Sequence, residues 1–233
     1  MEINELKKLL ENYHIPFTSQ MADAFLVYSK LLAEWNEKMN LTALAEDDFI
    51  EKHFYDSLLL VKTHNFTDQK VLDVGTGAGF PGLPLKIVVP DLKMTLVEPT
   101  TKRCTFLQEV VDKLDLKSVT ILNKRAEELA YSLRETFDVV VARAVANLPM
   151  ILELSVPFVK VDGLFIALKG PGAEQELEAS KHAIKALNVK LAKIDKSYLP
   201  SDHSLRLNLV FLKQKSTADK YPRNYALIKR KPL

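Results

Sequence analysis

Cysteine is almost missing. Cys104 is the only one among 233 residues, so no disulfide can form within the chain, and a reducing compartment is the expectation. Long apolar runs are missing too: no segment approaches the ~18 apolar residues that a membrane-spanning helix needs. The Met-Glu-Ile-Asn opening carries an acid and lacks the apolar core of a secretory signal, which makes a cytoplasmic location the expectation. Five histidines and one cysteine show no metal-ligand spacing, and no internal repeat or low-complexity linker is visible. What remains is an ordinary globular composition, 47% hydrophobic and 27% charged, suited to one sizeable α/β domain with an appendage.

Net charge is only +2, but it is unevenly placed. Residues 213–233 hold seven basic side chains, including Arg223, Lys229, Arg230 and Lys231, against Asp219 alone, leaving 25 basic and 29 acidic residues elsewhere. With Tyr221 and Tyr225 interleaved, residues 214–233 read as a basic C-terminal tail without regular structure. Such a tail can contact phosphates and stack on bases, or be a solvated terminus.

Residues 1–64 read as a helical layer. Asn4 is placed to cap a first helix, which Ile15-Pro16 ends; a second begins near Ser19, and Asp47-Asp48 starts a third. From Lys70 the pattern becomes strands (71–75, 93–97, 119–122, 137–142, 164–168) alternating with helices (81–89, 102–114, 126–131, 148–157). After a helix over 173–187, runs at 189–194 and 205–212 close the sheet as a hairpin-like edge. The fold class is α/β: a Rossmann-like, doubly wound sheet of about seven mostly parallel strands, over residues 65–213, with ligands at the carboxyl ends of the strands.

The chemistry concentrates in Val71-Leu72-Asp73-Val74-Gly75-Thr76-Gly77-Ala78-Gly79-Phe80-Pro81-Gly82, where a buried strand breaks into a glycine-dense turn leading to a helix. Glycine reaches positive φ without steric cost and lets a ligand approach the backbone. Residues 77–82 also satisfy the GxGxxG pattern of dinucleotide folds, so an NAD-dependent oxidoreductase is one reading. Asp73 favours another: a carboxylate there would repel a pyrophosphate but suits the cationic amino end of S-adenosylmethionine. Glu98 ends the second strand, where a carboxylate can accept from ribose hydroxyls. Arg125-Ala126-Glu127 follows the third strand, where a backbone N–H and an acid can address an adenine edge, although Glu127 and Glu128 also suit a helix N-terminus electrostatically.

Beyond the loop, the chain resembles the bacterial glucose-inhibited division protein B (GidB, or RsmG) family of 16S rRNA guanine-N7 methyltransferases. The likeness rests on Trp35-Asn36-Glu37-Lys38-Met39-Asn40-Leu41-Thr42, Lys52 to Leu58, Asp73 to Pro84, Ala142-Arg143-Ala144, Ala167-Leu168-Lys169-Gly170 and Tyr221-Pro222-Arg223. It implies methyl transfer from S-adenosylmethionine to one guanine in the decoding-region stem-loop of 16S rRNA, naked or in the small ribosomal subunit or its assembly intermediate. Cofactor contacts carried over fall on Gly75, Phe80, Ala126, Glu127 and Arg143, beside Asp73, Gly77, Gly79 and Glu98 from the loop reading. Glu98-Pro99 departs from the acid-Ser found in many relatives.

The residues also narrow the acceptor. An Asn/Asp-Pro-Pro-aromatic element for amino methylation is absent after the fourth strand, where Arg143-Ala144-Val145-Ala146 stands, and Cys104 reads as a packed thiol rather than a nucleophile. Guanine N7 carries a lone pair and no proton, so its methylation needs orientation rather than a general base. Arg143 and Lys169 are therefore candidate positioning groups, and Asn40, His53 and Lys169 candidate RNA contacts. Each has a structural alternative: an ion-paired Arg143, a His53 held by Asp56 or a carbonyl, and an Asn40 that caps a loop. A non-catalytic rRNA-binding protein that keeps the fold is the remaining alternative.

Overall fold

The computed structural model describes residues 1–233. The chain begins with α1 (Ile3–Glu11), α2 (Ser19–Met39), a 3₁₀ turn at Glu46–Asp48, a π-helical stretch at Phe49–Tyr55 and α3 (Asp56–Thr63). It continues as β1 (Lys70–Val74), α4 (Gly82–Val88), β2 (Lys93–Val97), α5 (Thr101–Lys113), β3 (Val119–Leu122), α6 (Ala126–Leu129), β4 (Phe137–Arg143) and α7 (Leu148–Ser155). The rest is β5 (Val159–Lys169), α8 (Ala173–Ala179), α9 (Lys181–Ala186), β6 (Val189–Tyr198), β7 (Leu205–Lys213) and α10 (Tyr225–Arg230).

The strands form one seven-stranded sheet in the order β3-β2-β1-β4-β5-β7-β6. β7 pairs antiparallel with both β5 and β6, whereas the other pairings are parallel. This separates the fold from a dinucleotide-binding sheet, whose strands run 3-2-1-4-5-6. Register then places functional residues side by side at one edge: Arg143 lies opposite Leu168 on β5, and Lys169 opposite Leu207 on β7.

Apolar cores cover both faces of the sheet. The larger, of 36 buried residues, joins Leu6, Phe25, Tyr28, Leu32, Phe54 and Leu58 of the N-terminal helices to Val71, Leu83 and Phe106, so those helices share the core of the sheet. The other, of 28 residues, packs α6, α7, α9 and α10 against Leu72, Val140 and Phe165. No helix is long and apolar enough to cross a membrane.

Three expectations are corrected. α1 begins at Ile3 rather than behind an Asn4 cap, because Ile3 already packs on the core with Leu6 and Leu10. The helix expected over 173–187 is two helices, separated at Ser180, whose hydroxyl donates to Glu176 O at 2.7 Å. The tail is structured: Tyr221 and Ile228 are buried, Arg134 donates to Thr217 O and Tyr221 O, and Glu135 accepts from Thr217 N. Apolar anchors spaced between the cations were enough to dock it. Lys213 is wholly buried at the end of β7, 2.9 Å from Glu135 and donating to Val156 O and Val159 O; burial pushes its pKa down.

Candidate active site

β1 ends at Val74, and the backbone turns through Gly75, Gly77 and Gly79, with φ of +69°, +61° and +96°. A side chain at Gly79 would strike Tyr28 and Leu83, whereas one at Gly77 would meet no atom within 4 Å, so Gly77 faces open space. Asp73 is fully buried beneath the loop. Its Oδ2 accepts from Thr76 Oγ1 at 2.6 Å and from Gly82 N at 2.8 Å, while Oδ1 has no partner. Burial outweighs these bonds and raises the Asp73 pKa to about 6. The bond to Gly82 matters for ligand choice. Gly82 N is the first helical N–H of α4, the place where a dinucleotide fold receives a pyrophosphate, and here the chain's own carboxylate occupies it.

At the end of β2, Glu98 Oε2 accepts from Gly77 N at 3.1 Å and Oε1 from Thr100 N at 2.9 Å. Arg103 lies 3.7 Å from the same carboxylate. Ala126 opens α6 with its side chain buried, and Glu127 beside it is half-buried. Cys104 donates to Glu98 O at 3.2 Å, with a pKa raised by burial, as suits a packed thiol.

Phe80 packs into the N-terminal layer. Its buried ring is stacked against Tyr28, with centroids 5.5 Å apart, and against His53 at 4.3 Å, with the Arg143 guanidinium 5.0 Å from its centroid. Tyr28 also donates to Ala78 O at 2.5 Å. The N-terminal layer therefore grips the glycine loop directly, and the aromatic residue of GxGFPG joins the two.

His53 lies at the centre of a relay. Its Nδ1 is 3.0 Å from Arg143 Nη2 and its Nε2 2.8 Å from Thr42 Oγ1. A guanidinium only donates, so Nδ1 accepts and the neutral ring carries its proton on Nε2. Burial first, then Arg143, pushes the His53 pKa down to about 3. Thr42 is fixed in turn by Asn36, whose Oδ1 accepts from Thr42 N at 2.8 Å. Asn40, exposed at the end of α2, has φ of +48°, a left-handed cap geometry that asparagine tolerates. Asp56 does not hold His53, as one alternative had it; its oxygens take Arg143 Nη1 and Arg206 Nε, each at 2.9 Å.

These groups border a cleft of about 590 Å³ at the carboxyl ends of β4 and β5 and the amino end of the antiparallel β7, lined by Lys52, Arg143, Val145, Lys169, Arg206 and Asn208 among others. Lys169 donates to Ala146 O at 2.8 Å and to Glu176 at 2.7 Å. Arg206, Asn208, Glu176 and Val145 were not singled out from sequence. The signal for the first two was present: a polar pair at i and i+2, on one face of an otherwise apolar strand. The tail candidates divide. Arg223 forms a two-pronged pair with buried Glu153, at 2.7 and 2.6 Å, whereas Lys229, Arg230 and Lys231 are exposed.

The unpartnered Asp73 oxygen, the open face of Gly77 and the acid ending β2 fit an S-adenosylmethionine site. Together with the sheet order they define a class I S-adenosylmethionine-dependent methyltransferase fold. Solved structures agree on that fold: a SAM-dependent methyltransferase from Aquifex aeolicus matches with TM-score 0.53 and 20% identity, over 71% of this chain and 93% of that one. M. jannaschii TYW2 in complex with AdoMet matches with TM-score 0.57 and 15% identity, over 69% and 76%.

Residues 21–205 match the family model GidB, rRNA small subunit methyltransferase G, and the chain belongs to that family. Relatives carrying the name ribosomal RNA small subunit methyltransferase G include those of Clostridium perfringens strain 13 and Halalkalibacterium halodurans. The first is 45% identical over 98% of this chain and 97% of its own length, the second 42% over 100% of both.

Proposed function

We propose that this protein, an S-adenosylmethionine-dependent rRNA methyltransferase by family, methylates N7 of one guanine in the decoding-region stem-loop of 16S rRNA, with the cleft beside Arg143 receiving the base. The observation that carries this reading is the absence of a usable base in a cleft rich in donors. His53 has both nitrogens engaged and a pKa of about 3, Asp56 holds two guanidiniums, and Glu176 is taken by Lys169 and the Leu148 amide. A ring nitrogen with a free lone pair is the acceptor that needs no proton removed, so orientation alone can carry the rate.

When bound, the cofactor supplies a methyl group activated on a sulfonium. Asp73, Gly75, Gly77, Gly79, Glu98, Ala126, Glu127 and Arg143 are the residues that would hold it, with Phe80 securing the loop from behind. Arg143 and Arg206, pre-oriented by Asp56, offer N–H groups toward the acceptor base or its phosphates. The exposed cations of α10, Lys229, Arg230 and Lys231, extend the electrostatic attraction to RNA. A cytoplasmic setting follows from this reading, since its substrate is the small ribosomal subunit.

The test is transfer of a labelled methyl group from S-adenosylmethionine to 16S rRNA from cells lacking the enzyme, both naked and within the small subunit. Incorporation into either substrate supports the proposal, and none into both contradicts it. Calorimetry separates the oxidoreductase reading: S-adenosylmethionine binds and NAD does not, because Asp73 fills the α4 N-terminus.

A further inference from the structure

The four residues between β4 and α7, Ala144–Asn147, separate the glycine loop from the acceptor cleft. Ala144 has φ of +55°, a conformation that a non-glycine residue holds only when its surroundings enforce it. Val145 lies against the loop so closely that a Cβ on Gly75 would come within 2.7 Å of its Cγ2, yet the residue is exposed on its other side. Its own packing therefore does not hold the segment in place.

Restraint comes from one carboxylate on another element. Glu176 Oε2, on α8, accepts from Leu148 N at 2.6 Å and from Lys169 Nζ at 2.7 Å. Lys169 in turn donates to Ala146 O at 2.8 Å. One Glu176 oxygen thus holds directly the residue that follows the segment, and holds Ala146 through Lys169, whose side chain is only 10% exposed. A charge-assisted pair of this kind is stronger than a neutral hydrogen bond and fixes its partners more tightly.

We propose that Glu176 is a positioning residue: through Lys169 and the Leu148 amide it latches the 144–147 segment in the place that aligns the acceptor cleft with the glycine loop. Lys169 then serves to set the wall of the cleft rather than to bind the base. This rests on the reading that the cleft receives the acceptor. A purely structural role, as a cap on α7, makes a different prediction, because it lowers stability without altering the rate of folded enzyme.

The experiment uses the full-length protein with Glu176→Ala, Glu176→Gln and Lys169→Met. Amide exchange at Leu148 gives a readout independent of activity, and methyl transfer gives kcat and KM for RNA. Glu176→Ala is expected to speed exchange at Leu148 and lower kcat by roughly tenfold to a hundredfold, the scale of a small misplacement of reacting groups. KM for RNA and calorimetric affinity for S-adenosylmethionine stay near wild type. Glu176→Gln, which keeps an acceptor oxygen, recovers most of kcat. The double variant Glu176→Ala/Lys169→Met is no slower than the slower single, since both act through one latch; if Glu176→Ala does not fold, Lys169→Met decides the matter, with kcat lowered and KM for RNA near wild type. Wild-type kcat in a variant with faster exchange, a loss confined to KM, or losses that multiply would each overturn the proposal. If the wild type transfers no methyl group, the functional reading fails, while the exchange result still judges the latch.

Discussion

The glycine loop and the cleft beside Arg143 lie on either side of Val145 and are built by different means. The loop is one continuous stretch whose shape comes from backbone: three positive φ values and a buried carboxylate that gathers Thr76 and Gly82. The cleft is assembled from side chains of β4, β5, β7 and the π-helical stretch, and its guanidiniums are aimed by partners far away in sequence. A backbone-built site tolerates change at few positions but is local. A side-chain-built site depends on every member of its network, including residues that touch no ligand.

The sharpest way to break this contrast is Asp56→Ala. It leaves Arg143 and Arg206 without their shared partner in a largely buried setting, where loss of one member of an ion pair costs about 3–5 kcal/mol. Methyl transfer should fall by about a hundredfold or more in folded protein, while calorimetric affinity for S-adenosylmethionine, set mostly by the loop, falls by no more than a few-fold because Lys52 O and His53 still hold Arg143. Equal losses of both would mean that the two regions are not separable.

The opposite substitution is Gly79→Ala. Positive φ disfavours alanine by about 1–2 kcal/mol, and the added methyl would strike Tyr28 and Leu83. Cofactor affinity should drop by roughly tenfold, in proportion to that strain, with RNA affinity measured by filter binding unchanged.

A smaller effect is read in pH dependence. Protonation of His53 is held off to about pH 3 in the folded chain against 6.5 in the unfolded one, so between those values the unfolded chain binds more protons. Stability from His53 is therefore complete above about pH 6.5 and declines as pH falls, by at most about 1.4 kcal/mol per unit. Asp73 has the opposite sign, since its folded pKa of about 6 lies above the unfolded 3.8 and its contribution declines as pH rises between them. Denaturant melts of His53→Gln should show the slope between pH 4 and 6 reduced or reversed; an unchanged slope would contradict a neutral, doubly bonded ring.

The smallest effect is expected from Lys229→Ala/Arg230→Ala/Lys231→Ala. RNA affinity should weaken a few-fold, and the slope of log affinity against log salt should flatten by about 1 for each phosphate contact removed. Cofactor affinity should not change. An unaltered slope would reduce α10 to a docked element without an RNA role.

This difference in construction explains what could be read from sequence. The loop was legible because its residues are contiguous and positive φ leaves a signature in glycine. The strands of the sheet were legible as apolar runs between helices, although β5 and β6 extend beyond the runs at 164–168 and 189–194. The network was not legible. Nothing local to Asp56 announces Arg206, 150 positions away, and nothing near Lys169 distinguishes a base-facing ammonium from one tied to Ala146 and Glu176. Charge counting misled at the C-terminus, because Lys213 and Arg223 are bound to Glu135 and Glu153 rather than free for RNA. Motif residues such as Asn36, Thr42 and His53 proved to be links that carry the N-terminal layer to Arg143.

The most direct test of the account is nucleoside mass spectrometry of 16S rRNA after incubation, in the small subunit, with wild-type protein and with Asp56→Ala. The account predicts 7-methylguanosine as the sole new methylated nucleoside, and its near absence with the variant although S-adenosylmethionine still binds. A methyl group on any other atom, or undiminished 7-methylguanosine from Asp56→Ala, would contradict it.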